Sequence, residues 1–206
     1  MDRDESMKLG EYEGYVIRDE DTTNPRKAFD NFGRMVCGHR RYSMGDDFSF
    51  NPDYFDSWAE VEKYYRDNED AAVILPVYLL DHSGLSVSTK PFSCHYDSGR
   101  IGFIYATAAA VLEHFPASAV PSESDAFEAA RKRLEAEVET YDAYLSGNVH
   151  GWQIVDANGE HVDSCFGYYG DEGRKLAAED MRRELEALAG RAARQESERA
   201  HYATEC

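Results

Sequence analysis

Residues 72–89 read AVILPVYLLDHSGLSVST, and this stretch decides the fold. Its first nine residues form the most apolar run in the chain. That is long enough for a core strand and far short of the roughly 18 apolar residues a bilayer span needs. Asp81-His82-Ser83-Gly84 is turn chemistry, and Leu85 to Thr89 then alternates apolar and polar as a returning strand does. Pro76 removes one ladder donor from the run, which predicts an edge or a bulge there. Such a hairpin seeds an antiparallel sheet.

Further strands lie on either side. Residues 101–105, IGFIY, supply one, and residues 31–39 supply another, with Gly33 and Gly38 marking bulges or close backbone approaches. Residues 14–18, GYVIR, end at the turn-like run DEDTTNP. Residues 152–156 and 160–166 flank Ala157-Asn158-Gly159, whose Asn-Gly pair is the strongest short hairpin signal in the chain.

Helical periodicity fills the remainder. Ser57 is placed as an N-cap with Glu60 three residues on, followed by the stripe Trp58, Val61, Tyr65. Residues 107–115 form a short helix closed by Pro116. Phe127, Ala130, Leu134, Val138, Tyr141 and Leu145 then recur at spacings of three and four, capped by Ser122 or Ser124 and stopped at Gly147. From Arg174 to about Glu198 a narrow stripe of Ala177, Met181, Leu185, Leu188 and Ala192 predicts a last helix, packed on a sheet or on a second copy of itself. The fold class expected is α+β: an antiparallel sheet core with a long central helix and a C-terminal helix. The expected organisation is a flexible N-terminus over 1–13, one α+β domain over 14–170, and a C-terminal helix and tail over 171–206.

Composition sets the partner class. Forty acidic side chains face twenty-two basic ones, a formal charge of -18, while 13% aromatic content argues for a folded chain. The N-terminus, MDRDESMKLGEYEG, is acidic where a signal peptide is basic and then apolar, and no apolar run is long enough for a bilayer. The expected location is therefore cytoplasmic. Cys37, Cys94, Cys165 and Cys206 are far apart with no CxxC pair, which fits reduced, mostly buried thiols better than a disulfide framework. The acid is densest over residues 43–70, where nine carboxylates against Lys63 and Arg66 leave a net -7. Asp46, Asp47, Asp53, Asp56, Glu60, Glu62, Asp67, Glu69 and Asp70 are the candidate partner-binding residues, interleaved with Phe48, Phe50, Tyr54, Phe55, Trp58, Tyr64 and Tyr65. Such a surface repels nucleic acid and anionic membranes and attracts proteins built to hold a phosphate backbone. Halophilic adaptation, in which acid is spread evenly for solvation, is the competing explanation of the charge.

Three segments carry the reactive side chains: Cys37-Gly38-His39-Arg40-Arg41-Tyr42, Asp81-His82-Ser83-Gly84, and Cys94-His95-Tyr96-Asp97-Ser98-Gly99. Brought together, His39, His82, Cys94 and His95 offer zinc donors, although no usual paired ligand spacing is present. A Cys-His nucleophile is the other chemistry, with Cys37 or Cys94 as thiolate, a histidine as base, and Asp81 or Asp97 orienting it. Against both stands the plainer reading of turn residues and a buried thiol, so neither catalytic residues nor a metal nor a cofactor is expected. No GxxxxGK[ST] or GxGxxG occurs, which argues against nucleotide binding.

The strings DNFGRMVCGHRRYSMGD (30–46), ILPVYLLDHSG (74–84), PFSCHYDSGRIGFIY (91–105) and EVETYDAYLSGNVHGW (137–152) resemble a family of small acidic proteins carried by phages, plasmids and integrated elements. The resemblance covers about residues 30–166 and implies a mobile-element setting. In that setting small, very acidic proteins disarm host defence by imitating DNA, as antirestriction proteins and some anti-CRISPRs do. The expected function is binding to the nucleic-acid-binding surface of a host defence complex, with no direct contact to nucleic acid or membrane and with a homodimer formed through the last helix. The alternatives are an enzyme or metal-binding protein using the His39, Asp81-His82 and Cys94-Asp97 segments, and an interaction protein without mimicry.

Overall fold

The computed structural model describes residues 3–46, 50–120 and 122–204. In chain order its elements are β1 (Arg3–Leu9), β2 (Tyr12–Arg18), α1 (Pro25–Ala28), β3 (Arg34–Cys37), α2 (Trp58–Asn68), β4 (Ala71–Asp81), β5 (Leu85–Ser88), β6 (Ser98–Thr107), α3 (Ala108–His114), α4 (Glu123–Ser146), β7 (Val149–Val155), β8 (His161–Tyr169) and α5 (Gly170–Thr204). The class is α+β, with two antiparallel sheets, a long central helix and a long C-terminal helix.

The chain divides into two compact units, Asn24–Ser146 and the pair of flanking segments Met1–Thr23 with Gly147–Cys206. This differs from the single domain expected over 14–170. A β-hairpin at each end of the chain finds its partner across the inserted unit, and sequence periodicity carries no record of that pairing.

In the flanking unit the sheet order is β1-β2-β7-β8. The N-terminal residues expected to be flexible form β1 instead. It pairs with β2 from Arg3↔Ile17 to Leu9↔Tyr12 through a tight turn in which Gly10 takes φ +62°. Helix α5 lies on this sheet. Ala177, Met181 and Leu185 are buried against Val16, Trp152 and Ile154, with Leu188 packed at the margin. The first three residues of the stripe that invited a helix partner are thus covered by the chain's own sheet. Helix and strand approach so closely that a Cβ on Gly14 would stand 2.9 Å from Met181 Sδ. Trp152 Nε1 donates to the Tyr168 hydroxyl at 3.2 Å, which donates to Asp180 at 2.8 Å, tying β7, β8 and α5 together. Burial, with the interactions of Cys165 and Asp180, raises the Tyr168 pKa against the Trp152 bond, which lowers it.

In the inserted unit the sheet order is β3-β6-β4-β5. The 72–89 hairpin is β4 and β5, with Ser83 at φ +57° in the turn. Pro76 lies outside the reach of β5, whose pairing starts at Tyr78, and a register shift follows at Val77/Tyr78. Alternation sends Val73, Leu75, Val77 and Leu79 to one face, under Ala130, Leu134, Val138 and Tyr141 of α4. Val36, Ile74, Phe103 and Tyr105 go to the other face, under Val61 and Tyr65 of α2. The sheet is sandwiched between two helices because its strands are apolar on both sides. Both predicted caps are present: Ser57 Oγ accepts from the Glu60 amide, and Ser122 Oγ from that of Asp125. Glu60 turns back to the Asp56 amide at 2.8 Å, one residue earlier than the usual capping box.

Candidate functional site

Strand β3 is short, and its end shapes the site. The Gly38 amide still bonds Ile101 at 2.8 Å, after which the chain leaves β6 through residues 39–43 and comes back along β3, where the Asp46 amide bonds the Met35 carbonyl at 2.8 Å. The departure opens a cavity of about 840 Å³ at this end of the sheet, lined by residues 38–41, 50–53 and 96–101 together with Leu79 and Asp81. All three histidine-bearing segments meet around it.

Their side chains do not assemble as either predicted chemistry requires. His39 stacks on Tyr42 at 5.0 Å, His82 Nδ1 bonds Asp97 Oδ2 at 2.9 Å, and Cys94 Sγ stands 3.6 Å from that same oxygen. The four candidate ligands His39, His82, Cys94 and His95 are not gathered, and among the described residues no group of three or more such donors is placed to hold a metal ion. A nucleophile needs its base beside the sulfur and a carboxylate beyond the base. Here the carboxylate sits between Cys94 and His82. Cys37 is buried, and desolvation with the nearby Asp46 charge pushes its thiol up to about 12, which removes it as a thiolate. Cys94 and Cys165 are exposed, contrary to the expectation of mostly buried thiols; Cys94 lies in the loop before β6, and Cys165 is on edge strand β8.

The acidic stretch divides by role. Asp46 is partly exposed but engaged: its carboxylate takes Arg26 Nε at 2.8 Å, Arg26 Nη2, and the Met35 amide at 2.7 Å. Asp46 thus belongs to the fold, because Arg26 is buried and its charge demands a partner. Glu62 pairs with Arg100 at 2.9 Å, and that guanidinium lies 4.4 Å over the Trp58 ring. Asp67 pairs with Lys63 one turn away. Asp53, Asp56, Glu60, Glu69 and Asp70 are exposed and form no ion pair among the described residues. Asp47 lies outside the described residues. Beneath these carboxylates Phe50 packs against Phe55, Trp58, Tyr65 and Phe103, so the segment stands on an aromatic layer fixed to the sheet.

Sequence reasoning missed Arg26 and Glu137. Arg26 Nη1 reaches Glu137 at 2.9 Å and Asn31 at 3.2 Å, and Nη2 reaches the Gly33 carbonyl at 2.7 Å. Glu137 also accepts the Phe32 and Gly33 amides at 2.7 and 3.1 Å. Glu137 had a readable signal: it stands three residues after Leu134 and four before Tyr141, a carboxylate on the apolar stripe of α4. Arg26, directly after the turn-like run DEDTTNP, had none.

Comparison of the chain with protein-family models, with curated proteins and with solved structures found no match. Among the described residues no helix is long and apolar enough to cross a membrane.

Proposed function

We propose that this protein is a cytoplasmic inhibitor that occupies the nucleic-acid-binding surface of a host defence protein or complex, in the manner of antirestriction and anti-CRISPR DNA mimics. The observation that carries this reading is the row of exposed carboxylates, Asp53, Asp56, Glu60, Glu69 and Asp70, standing on the aromatic layer of Phe50, Phe55, Trp58 and Tyr65. Duplex DNA presents about one charge per 1.7 Å of its axis, and helix positions three or four apart hold their Cβ atoms about 5–6 Å from each other. Asp53, Asp56 and Glu60 follow one another at sequence spacings of three and four, so their charges approximate part of one strand of the duplex. A fixed platform also lowers the entropy lost on binding. The remaining acid of the chain, -18 in all, keeps nucleic acid away and steers basic partners inward.

The test is competition. The immobilised chain is expected to retain DNA-binding complexes from a bacterial lysate and to release them both to added duplex DNA and to rising salt. Changing Asp53, Asp56 and Asp70 to Asn, and Glu60 and Glu69 to Gln, is expected to abolish retention without lowering the melting temperature. Retention that DNA cannot compete, or that survives the five substitutions, refutes the reading.

A further inference from the structure

The cavity at the end of β3 holds a set of polar groups of which the mimicry surface uses only Asp53. Its volume, about 840 Å³, lies in the range of small-molecule sites. Two of its arginines are engaged: Arg41 bonds Asp81, and Arg100 bonds Glu62 and the Gly102 carbonyl. Arg40 is exposed and makes no hydrogen bond or ion pair with a described residue. Beside it, His39 Nδ1 accepts the Arg41 amide at 3.4 Å, an arrangement that leaves Nε2 to carry the proton as a donor. Arg40 and His39 both line the cavity and supply it with a guanidinium unpaired among the described residues and an imidazole N–H, donors that suit an oxyanion, since the guanidinium fork matches phosphate geometry.

The rest of the lining selects what bears the anion. Asp81 is taken by Arg41 and Tyr42, and Asp97 by His82 and Cys94, so Asp53 is the one lining carboxylate without a partner among the described residues. A free carboxylate beside an anion receptor calls for a ligand that also offers hydroxyl donors. Tyr96, 99% exposed, presents an aromatic face at the cavity mouth, with Phe50 and Pro52 on its wall. An aromatic ring, a hydroxylated body and one oxyanion in a single small molecule describe a nucleoside monophosphate. We propose that this cavity binds one, with its phosphate on Arg40 and His39, its ribose hydroxyls on Asp53 and its base stacked by Tyr96. Capture of the phosphate by these side chains needs none of the glycine-rich loops that the sequence lacks.

Titration of the full chain with adenosine monophosphate, followed by calorimetry or amide chemical shifts, tests this. Saturable binding is expected, with inorganic phosphate and adenosine each at least tenfold weaker. Arg40→Gln is expected to weaken binding by roughly 10- to 100-fold, the range of a lost charge-assisted hydrogen bond. Asp53→Asn should weaken adenosine monophosphate but not its 2′,3′-dideoxy analogue, and Tyr96→Ala should weaken both. All three side chains are exposed, so unchanged melting temperatures are expected. No saturation at millimolar nucleotide, unaltered affinity in Arg40→Gln, or phosphate binding as tightly as the nucleotide each overturns the proposal.

Discussion

Arg26 and Glu137 lie 111 residues apart in the chain and meet at 2.9 Å, with side chains 1% and 7% exposed. Arg26 uses its guanidinium nitrogens on Asp46, Glu137, Asn31 and the Gly33 carbonyl, so the turn around α1, the segment after β3 and the middle of α4 share one buried cation. Two carboxylates around one guanidinium offset its desolvation, and hydrogen bonds saturate the fork. Arg26→Ala leaves Glu137 buried without its cation and is expected to destabilise by about 3–5 kcal/mol. Arg26→Lys keeps the charge but loses the fork and should recover only part of this. Urea unfolding measures both.

Asp46 and Asp53 are seven residues apart and are expected to behave oppositely. Asp46→Ala removes a partner of a buried arginine and should cost about 2–4 kcal/mol, reduced from the fully buried case by its partial exposure. Asp53→Asn should leave thermal unfolding unchanged and register only in binding. Equal melting temperatures for the two variants would contradict the division of the acidic stretch into fold and surface.

Stability should fall at alkaline pH. Cys37 ionises near 9.0 when unfolded, whereas burial and the Asp46 charge hold it at about 12 in the native chain. Between these values the unfolded state has released a proton that the native state keeps. Stability is therefore full below pH 9 and declines as pH rises toward 12, by up to about 1.4 kcal/mol per pH unit. Tyr141 and Tyr168, also raised by burial, act with the same sign. Cys37→Ala should flatten the slope in denaturant titrations at stepped pH. A thiol reagent at neutral pH should modify Cys94 and Cys165 while Cys37 stays silent.

Helix α5 should prove indispensable to its sheet. A chain ending at Gly173 uncovers Val16, Trp152 and Ile154 and is expected to aggregate in light scattering rather than yield a clean monomer. Met181→Ala and Leu185→Ala should each cost about 2–5 kcal/mol. Because Met181 and Leu185 are covered by the sheet, the same two variants should leave the oligomeric state of the folded protein unchanged.

Gly102 is required by the approach of β3 to β6. A Cβ there would stand 2.0 Å from the Val36 carbonyl oxygen, which is backbone and cannot turn aside. Gly102→Ala should therefore cost about 1–3 kcal/mol or more, and amide exchange should show it as lost protection in β3.

Much of the inserted unit was legible because its signals are local. The 72–89 hairpin, the Ser57 and Ser122 caps and the α4 stripe ending at Gly147, whose φ is +68°, each depend on residues a few positions apart. The sequence by itself thus determined the α+β class, the element types and the excess of negative charge, all of which follow from periodicity, turn chemistry and composition. Only the tertiary structure decided that β1 exists and pairs with β2, that the chain's two ends form one unit, and that the α5 stripe meets a sheet. Only it separated Asp46 from Asp53, since the difference is a buried cation supplied from position 26. It likewise drew the His39, Asp81 and Cys94 segments around one cavity while setting Asp97 between sulfur and imidazole. Contacts between distant residues depend on how apolar faces are covered in space, and a one-dimensional pattern of polarity does not encode which face covers which.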